Sequence, residues 1–220
     1  MYLFLSHPWG PCCPAYAGGA RVEINPVRCM DTGDSCNSIQ FKASNHIGTH
    51  FDFPLHFDAS GKHVLDYAPD FFIHEKTLLL SIELAKGALV TTAHVEHSLK
   101  FYEGSYDETL LLLRTGAESY RDSEDFWKNG TGLDIGLASY LRSKFPRLTT
   151  VGMDSISLSS FPHRDLGRKA HAEFLKDSRP LLLIEDMHLA SLKQSPKKVM
   201  ALPLRIEKGD GAPCTVLAEL

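Results

Sequence analysis

The chain has 220 residues, of which 43% are hydrophobic and 23% charged, with a formal net charge of −4. That balance suits one soluble domain over residues 1–220, large enough to bury a substantial core, and argues against general nucleic-acid binding, which needs a basic surface. No apolar run reaches the roughly 18–20 residues that cross a bilayer, and Met1 to Ser6 lacks the charged segment of a signal peptide, so the cytoplasm is the expected compartment.

Taken in chain order, alternating or continuously apolar runs predict strands near 2–6, 20–25, 38–44, 77–83, 109–115, 148–158, 180–185, 198–206 and 213–219. Helical patterns are fewer. Thr92 is placed to cap a helix reaching about Phe101. Leu133 to Lys144 sets Ile135, Leu137, Leu141 and Phe145 near one face and stops before Pro146, and Leu166 to Lys176 spaces Leu166, Ala170 and Phe174 by four. Strands outnumber helices, which predicts a mixed α/β fold dominated by strands. The loops around 7–19, 60–75 and 116–131 hold much of the Gly, Pro and aromatic content and are expected to supply functional walls. The five cysteines cannot all pair within one chain and fit no common zinc-ribbon spacing, so free, mostly buried thiols are expected.

The segment His46-x-Gly48-Thr49-His50-x-Asp52-x-Pro54-x-His56 sets three histidines and an aspartate within eleven residues. Imidazole and carboxylate suit zinc and manganese. All four polar positions are even-numbered, so an extended chain would project them to one side. A straight strand would nevertheless hold His46 and His56 about 33 Å apart, whereas metal–ligand bonds are about 2 Å. The chain must fold back, and Gly48 and Pro54 are the expected bending points.

One segment does not complete a positioned metal site. His94 and His97 fall in a polar helix pattern and read as surface residues, while His63 and His74 lie in a loop that could face a pocket. His171 falls on the predicted helix between two strands. Glu185 ends the apolar run from Leu181 to Ile184, where a carboxylate without a partner is costly to bury. Glu185 and His188 also form a Glu-x-x-His, which would bind metal only if residues 185–188 were helical.

The central segment resembles the signature of the cyclase family, which includes bacterial-type kynurenine formamidases and isatin hydrolases. Leu5-Ser6-His7-Pro8 with Pro14-x-Tyr16-x-Gly18 is similar to the family's amino-terminal segment. Leu112 to Thr115, Val151 to Asp154, and His171 with Glu185 resemble its later elements. The resemblance implies a swivelling β/β/α fold that assembles into homodimers or homotetramers. It also implies His46, His50, Asp52, His171 and Glu185 as ligands of one or two zinc ions, or of manganese, with His56 as the general acid/base. Tyr16 stands where kynurenine formamidases of this type carry Trp lining the substrate pocket, and Ala17-Gly18 replaces Pro-Gly. The run from Ser155 to Ser159 lacks the second Asp frequent in the family. These departures leave the ligand set intact and bear on the substrate.

The expected reaction is attack of metal-activated hydroxide on an aryl formamide or lactam carbonyl of a small aromatic amide, most like the conversion of N-formylkynurenine to kynurenine and formate. Unperturbed histidine has a pKa near 6.5, and His56 stands where proton delivery to the leaving nitrogen is needed. A mononuclear manganese hydrolase of isatin type shares these ligands. A non-catalytic scaffold stabilised by metal is the alternative from another class, and an acid/base residue beside the ligands speaks against it. No Gly-x-Ser-x-Gly elbow, Gly-x-Gly-x-x-Gly or Walker loop points to other chemistry.

Overall fold

A computed structural model of the chain describes residues 1–176 and 179–220. Its strands are β1 (Tyr2–Phe4), β2 (Glu23–Arg28), β3 (Ser38–Lys42), β4 (His50–Asp52), β5 (Ile73–His74), β6 (Thr77–Ser81) and β7 (Leu89–Val90). There follow β8 (Leu110–Arg114), β9 (Gly132–Leu133), β10 (Thr150–Met153), β11 (Leu182–Glu185), β12 (Lys198–Pro203) and β13 (Gly211–Glu219). The helices are α1 (Thr92–Ser98), α2 (Asp125–Lys128), α3 (Leu137–Lys144) and α4 (Arg164–Leu175).

Nine strands form one sheet in the order β5-β12-β13-β4-β11-β10-β8-β6, with β1 also paired to β13. The four strands β6, β8, β10 and β11 run parallel. Their sequences explain this: Leu110 to Leu113 and Leu182 to Ile184 are fully buried, the pattern of strands covered on both faces. Helix α4 packs on β11 and α1 on β6. Antiparallel β4, β13 and β12 continue the sheet beyond β11 and curl it into a nearly closed, barrel-like form. The result is the strand-rich mixed α/β fold expected from the sequence.

Several boundaries differ from the sequence reading. The helix predicted from Leu133 begins at Leu137, because Asp134 accepts the Gly136 amide at 2.9 Å and turns the chain, while Gly132–Leu133 pairs with β7. The strand predicted over 148–158 stops at Met153, and the helix predicted to Phe101 stops at Ser98. Short β4, β5, β7 and β9 are too brief to show a periodicity. Of the cysteines only Cys13 is buried, and Cys12 and Cys36 are exposed. Among the described residues no helix is long and apolar enough to cross a membrane.

Candidate metal centre

Strand β4 lies between β11 and β13, with His50 opposite Glu185 on one side and Asp52 opposite Gly211 on the other. Strand alternation divides its side chains: Phe51 and Phe53 are fully buried in the core, while His50 and Asp52 line the cavity at the ends of the parallel strands. The chain folds back where glycine and proline stand. Gly48 has φ +69, a left-handed conformation that a side chain disfavours. Pro54–His56 forms one turn of 3-10 helix, and the His56 ring returns to stack on His46 at 4.0 Å.

The far ligand candidates meet this segment. His171 projects from α4, its Nδ1 donating to the Gly167 carbonyl at 3.0 Å. His50 Nδ1 donates likewise to the Gly48 carbonyl at 2.8 Å. A carbonyl only accepts, so each Nδ1 carries hydrogen and each Nε2 is the nitrogen turned to the site. The Glu185 carboxylate accepts the Leu158 amide at 2.6 Å and Ser157 Oγ at 3.3 Å. After Glu185 the backbone turns through Asp186, at φ 53, whose carboxylate is clamped by Arg121 at 2.7 and 2.6 Å. That turn ends the strand, so the helical Glu-x-x-His is not formed. His188 instead pairs with Glu118, away from this cavity.

His50 Nε2 lies 3.4 Å from Asp52 Oδ1 and 3.5 Å from Glu185 Oε2. His171 Nε2 lies 3.6 Å from Asp52 Oδ2 and 3.3 Å from Glu185 Oε1. These separations exceed the roughly 2.7–2.9 Å of a charge-assisted hydrogen bond. They match the edge of a tetrahedron with bonds of about 2.0–2.2 Å, which is about 3.3–3.6 Å. The donor set therefore fits a divalent ion. The donor atoms of His50, Asp52 and Glu185 lie within 4.8 Å of one another, as do those of His46, Asp52 and His56. His46 sits closer than ligand spacing, its Nδ1 lying 2.7 Å from Asp52 Oδ1.

The electrostatics agree with a site made for positive charge. Burial alone would lower the pKa of His50 and His171, but Asp52 and Glu185 override it and raise them to about 9 and about 10. Burial would raise Asp52, and the surrounding imidazoles of His171, His46 and His50 outweigh it and hold that carboxyl well below the usual range.

All seven residues singled out in the sequence (Tyr16, His46, His50, Asp52, His56, His171 and Glu185) border one cavity of about 280 Å³. His63 and His74 do not line it. His63 caps a short turn, and buried His74 bonds Thr109 with its pKa pushed down by burial to about 4. Trp9 anchors the bend through its Nε1 bond to the Ile47 carbonyl at 3.1 Å, and Trp127 backs Phe161 rather than facing the cavity. Sequence reasoning missed Asp210, whose Oδ2 accepts His56 Nδ1 at 2.9 Å and His46 Nε2 at 3.0 Å. Its only signal was a carboxylate between Gly209 and Gly211, which reads equally as a turn.

Fold and site together define a strand-rich α/β protein with a buried imidazole–carboxylate centre at the strand ends. Residues 3–160 match the model of the Cyclase family, and the chain belongs to that family. It is 27% identical over 217 residues to a kynurenine formamidase of Paracidovorax citrulli, covering 93% of each chain. It is 29% identical over 215 residues to one of Bacillus cereus, covering 96% of this chain and 94% of that protein. Among solved structures, isatin hydrolase A from Labrenzia aggregata bound to benzyl benzoate superposes with a TM-score of 0.85 at 18% identity, over 99% of this chain and 93% of its own.

Proposed function

We propose that residues 1–220 form a single metal-dependent hydrolase domain that cleaves the carbon–nitrogen bond of a small aromatic amide, most like an arylformamidase converting N-formylkynurenine to kynurenine and formate. The observation that carries this reading is the spacing of His50 and His171 Nε2, each 3.3–3.6 Å from the same two carboxylates. His46, His50, Asp52, His171 and Glu185 would hold one or two zinc ions, with manganese the alternative. A divalent ion bound there supplies Lewis acidity and brings the pKa of water to about 7.

The chain's own residues do the rest. Asp210 accepts from His56 Nδ1 at 2.9 Å, which fixes the ring and leaves Nε2 to take up a proton and return it to the leaving nitrogen. The hydrogen bonds of Gly48 and Gly167 carbonyls lock the His50 and His171 rings before substrate arrives. Phe57 stacks on His171 at 4.8 Å and with Tyr16 gives the cavity aromatic walls that shed water around a flat substrate. Self-association into a dimer or tetramer is favoured by the β2–β3 hairpin, which exposes Val27, Ile39 and Phe41.

The likeness to isatin hydrolases favours a second reading, a mononuclear manganese enzyme opening a cyclic amide. Elemental analysis of the purified protein, followed by assays of formanilides, N-formylkynurenine and isatin with zinc- and manganese-loaded samples, separates the two. The proposal expects bound metal and turnover of at least one aryl formamide. Stoichiometric metal without turnover of any aryl amide would leave the scaffold reading standing.

A further inference from the structure

The floor of the cavity is acidic, yet its mouth is cationic. Arg164 and Arg168 stand one turn apart on α4, and His171 follows three residues later, so one helix face carries two guanidiniums and then the imidazole of the site. Both arginines border the same cavity and both are exposed. Among the described residues no carboxylate lies within ion-pair distance of either. Arg121, by contrast, is clamped on Asp186. Arg164 is steered toward the opening by Phe161, whose ring its guanidinium carbon overlies at 5.1 Å. The Tyr16 hydroxyl lies within electrostatic reach of both guanidiniums and of Glu185, which puts Tyr16 between mouth and floor.

The cavity therefore has three zones: a floor of His50, Asp52 and Glu185, a middle walled by Tyr16 and Phe57, and a mouth with two cations that no carboxylate among the described residues pairs. A neutral aromatic amide uses the first two and leaves the third without a partner. At about 1.5 Å of helix per residue, Arg168 and Arg164 stand roughly 5 and 10 Å along α4 from His171. That is the reach of a short side chain on a substituted benzene ring whose amide carbonyl rests on the floor.

We infer that Arg164 and Arg168 bind the carboxylate of the substrate, so that the substrates are aromatic amides carrying an anionic side chain remote from the cleaved bond. The planar guanidinium matches a carboxylate with two parallel hydrogen bonds. A single negative charge is preferred to a phosphate dianion, because Asp52 and Glu185 already make the floor acidic. This inference rests on the amide hydrolase reading and names the two residues that would select an anionic over a neutral substrate.

The test compares a formanilide whose ortho oxoalkyl chain ends in carboxylate with its methyl ester, equal in shape and neutral. The expected kcat/KM favours the carboxylate by about tenfold or more, carried by KM. In Arg164→Gln/Arg168→Gln that ratio falls toward one, and Arg164→Lys/Arg168→Lys restores part of it. A wild-type ratio near one, a ratio unchanged in the glutamine variant, or a preference for a phosphonate end would each overturn the assignment. If neither compound is hydrolysed, the hydrolase reading fails and the arginines are judged by calorimetry with the two deformylated amines. Tighter binding of the carboxylate amine by wild type than by the glutamine variant upholds the inference, and equal binding overturns it.

Discussion

Asp210 Oδ2 accepts a hydrogen bond from His56 Nδ1 at 2.9 Å, across a sequence separation of 154 residues. The same oxygen accepts His46 Nε2 at 3.0 Å, and Asn45 Nδ2 holds the other oxygen at 2.7 Å. Burial would raise the Asp210 pKa, but the bonds from His46, His56 and Asn45 draw it down to about 2, so an ionised acceptor orients both rings at neutral pH. Removing such an outer partner costs about 10–100-fold in activity or metal affinity. Asp210→Ala is expected to lower kcat by that order while the circular dichroism spectrum is retained. Unchanged kcat would deny Asp210 a positioning role.

His56 is half-buried and stacks on His46, so its loss leaves the His50, His171, Asp52 and Glu185 donors in place. Acid–base assistance is worth about 10²–10⁴-fold. His56→Ala should therefore lose at least about a hundredfold in turnover while elemental analysis finds the wild-type metal content. Parallel loss of metal and activity would make His56 a ligand beside His46 and Asp52.

Much of the centre was legible because one short segment carries it. The even spacing of His46, His50, Asp52 and His56 sets the polar residues to one side of an extended chain, and Gly48 and Pro54 announce the bends. Glu185 could be reached by asking why an apolar strand ends in a carboxylate, and His171 by its place on a helix between two strands together with the family resemblance. Asp210 could not, since its role depends on β13 pairing with β4, a register fixed by tertiary contacts and not by any local pattern. The start of the helix predicted from Leu133 was misplaced because the apolar period continues through Ile135, which is 37% exposed and lies before the helix begins.

Chelation should expose a pH dependence of opposite sign to ordinary acid unfolding. In protein groups alone, Asp52 and Glu185 raise His50 to about 9 and His171 to about 10. Groups raised above their unfolded value of about 6.5 contribute stability that is full below that pH and lost as pH climbs through the folded values. Chelator-treated protein should thus lose about 5–10 °C in Tm between pH ~6.5 and ~10, a loss of a few kcal/mol. Protein loaded with zinc should lose less over that range, because the ion then answers the carboxylates. Parallel melting curves for the two samples would contradict the charge balance described for this site.

Gly211 is the residue that makes room for His46. It faces Asp52 across the β4–β13 pairing, and a Cβ built there would meet the His46 ring at 2.3 Å from Cε1 and 2.7 Å from both nitrogens. The ring cannot yield freely, since Asp52 and Asp210 hold its two nitrogens at 2.7 and 3.0 Å. Gly211→Ala should therefore displace the imidazole, break one of those bonds and cost about 1–3 kcal/mol, with metal affinity falling by about tenfold or more. A double-mutant cycle isolates the cause. In a His46→Ala background the ring is gone, and Gly211→Ala should then cost little. An equal fall in Tm in both backgrounds would locate the penalty in the strand backbone and not in the imidazole.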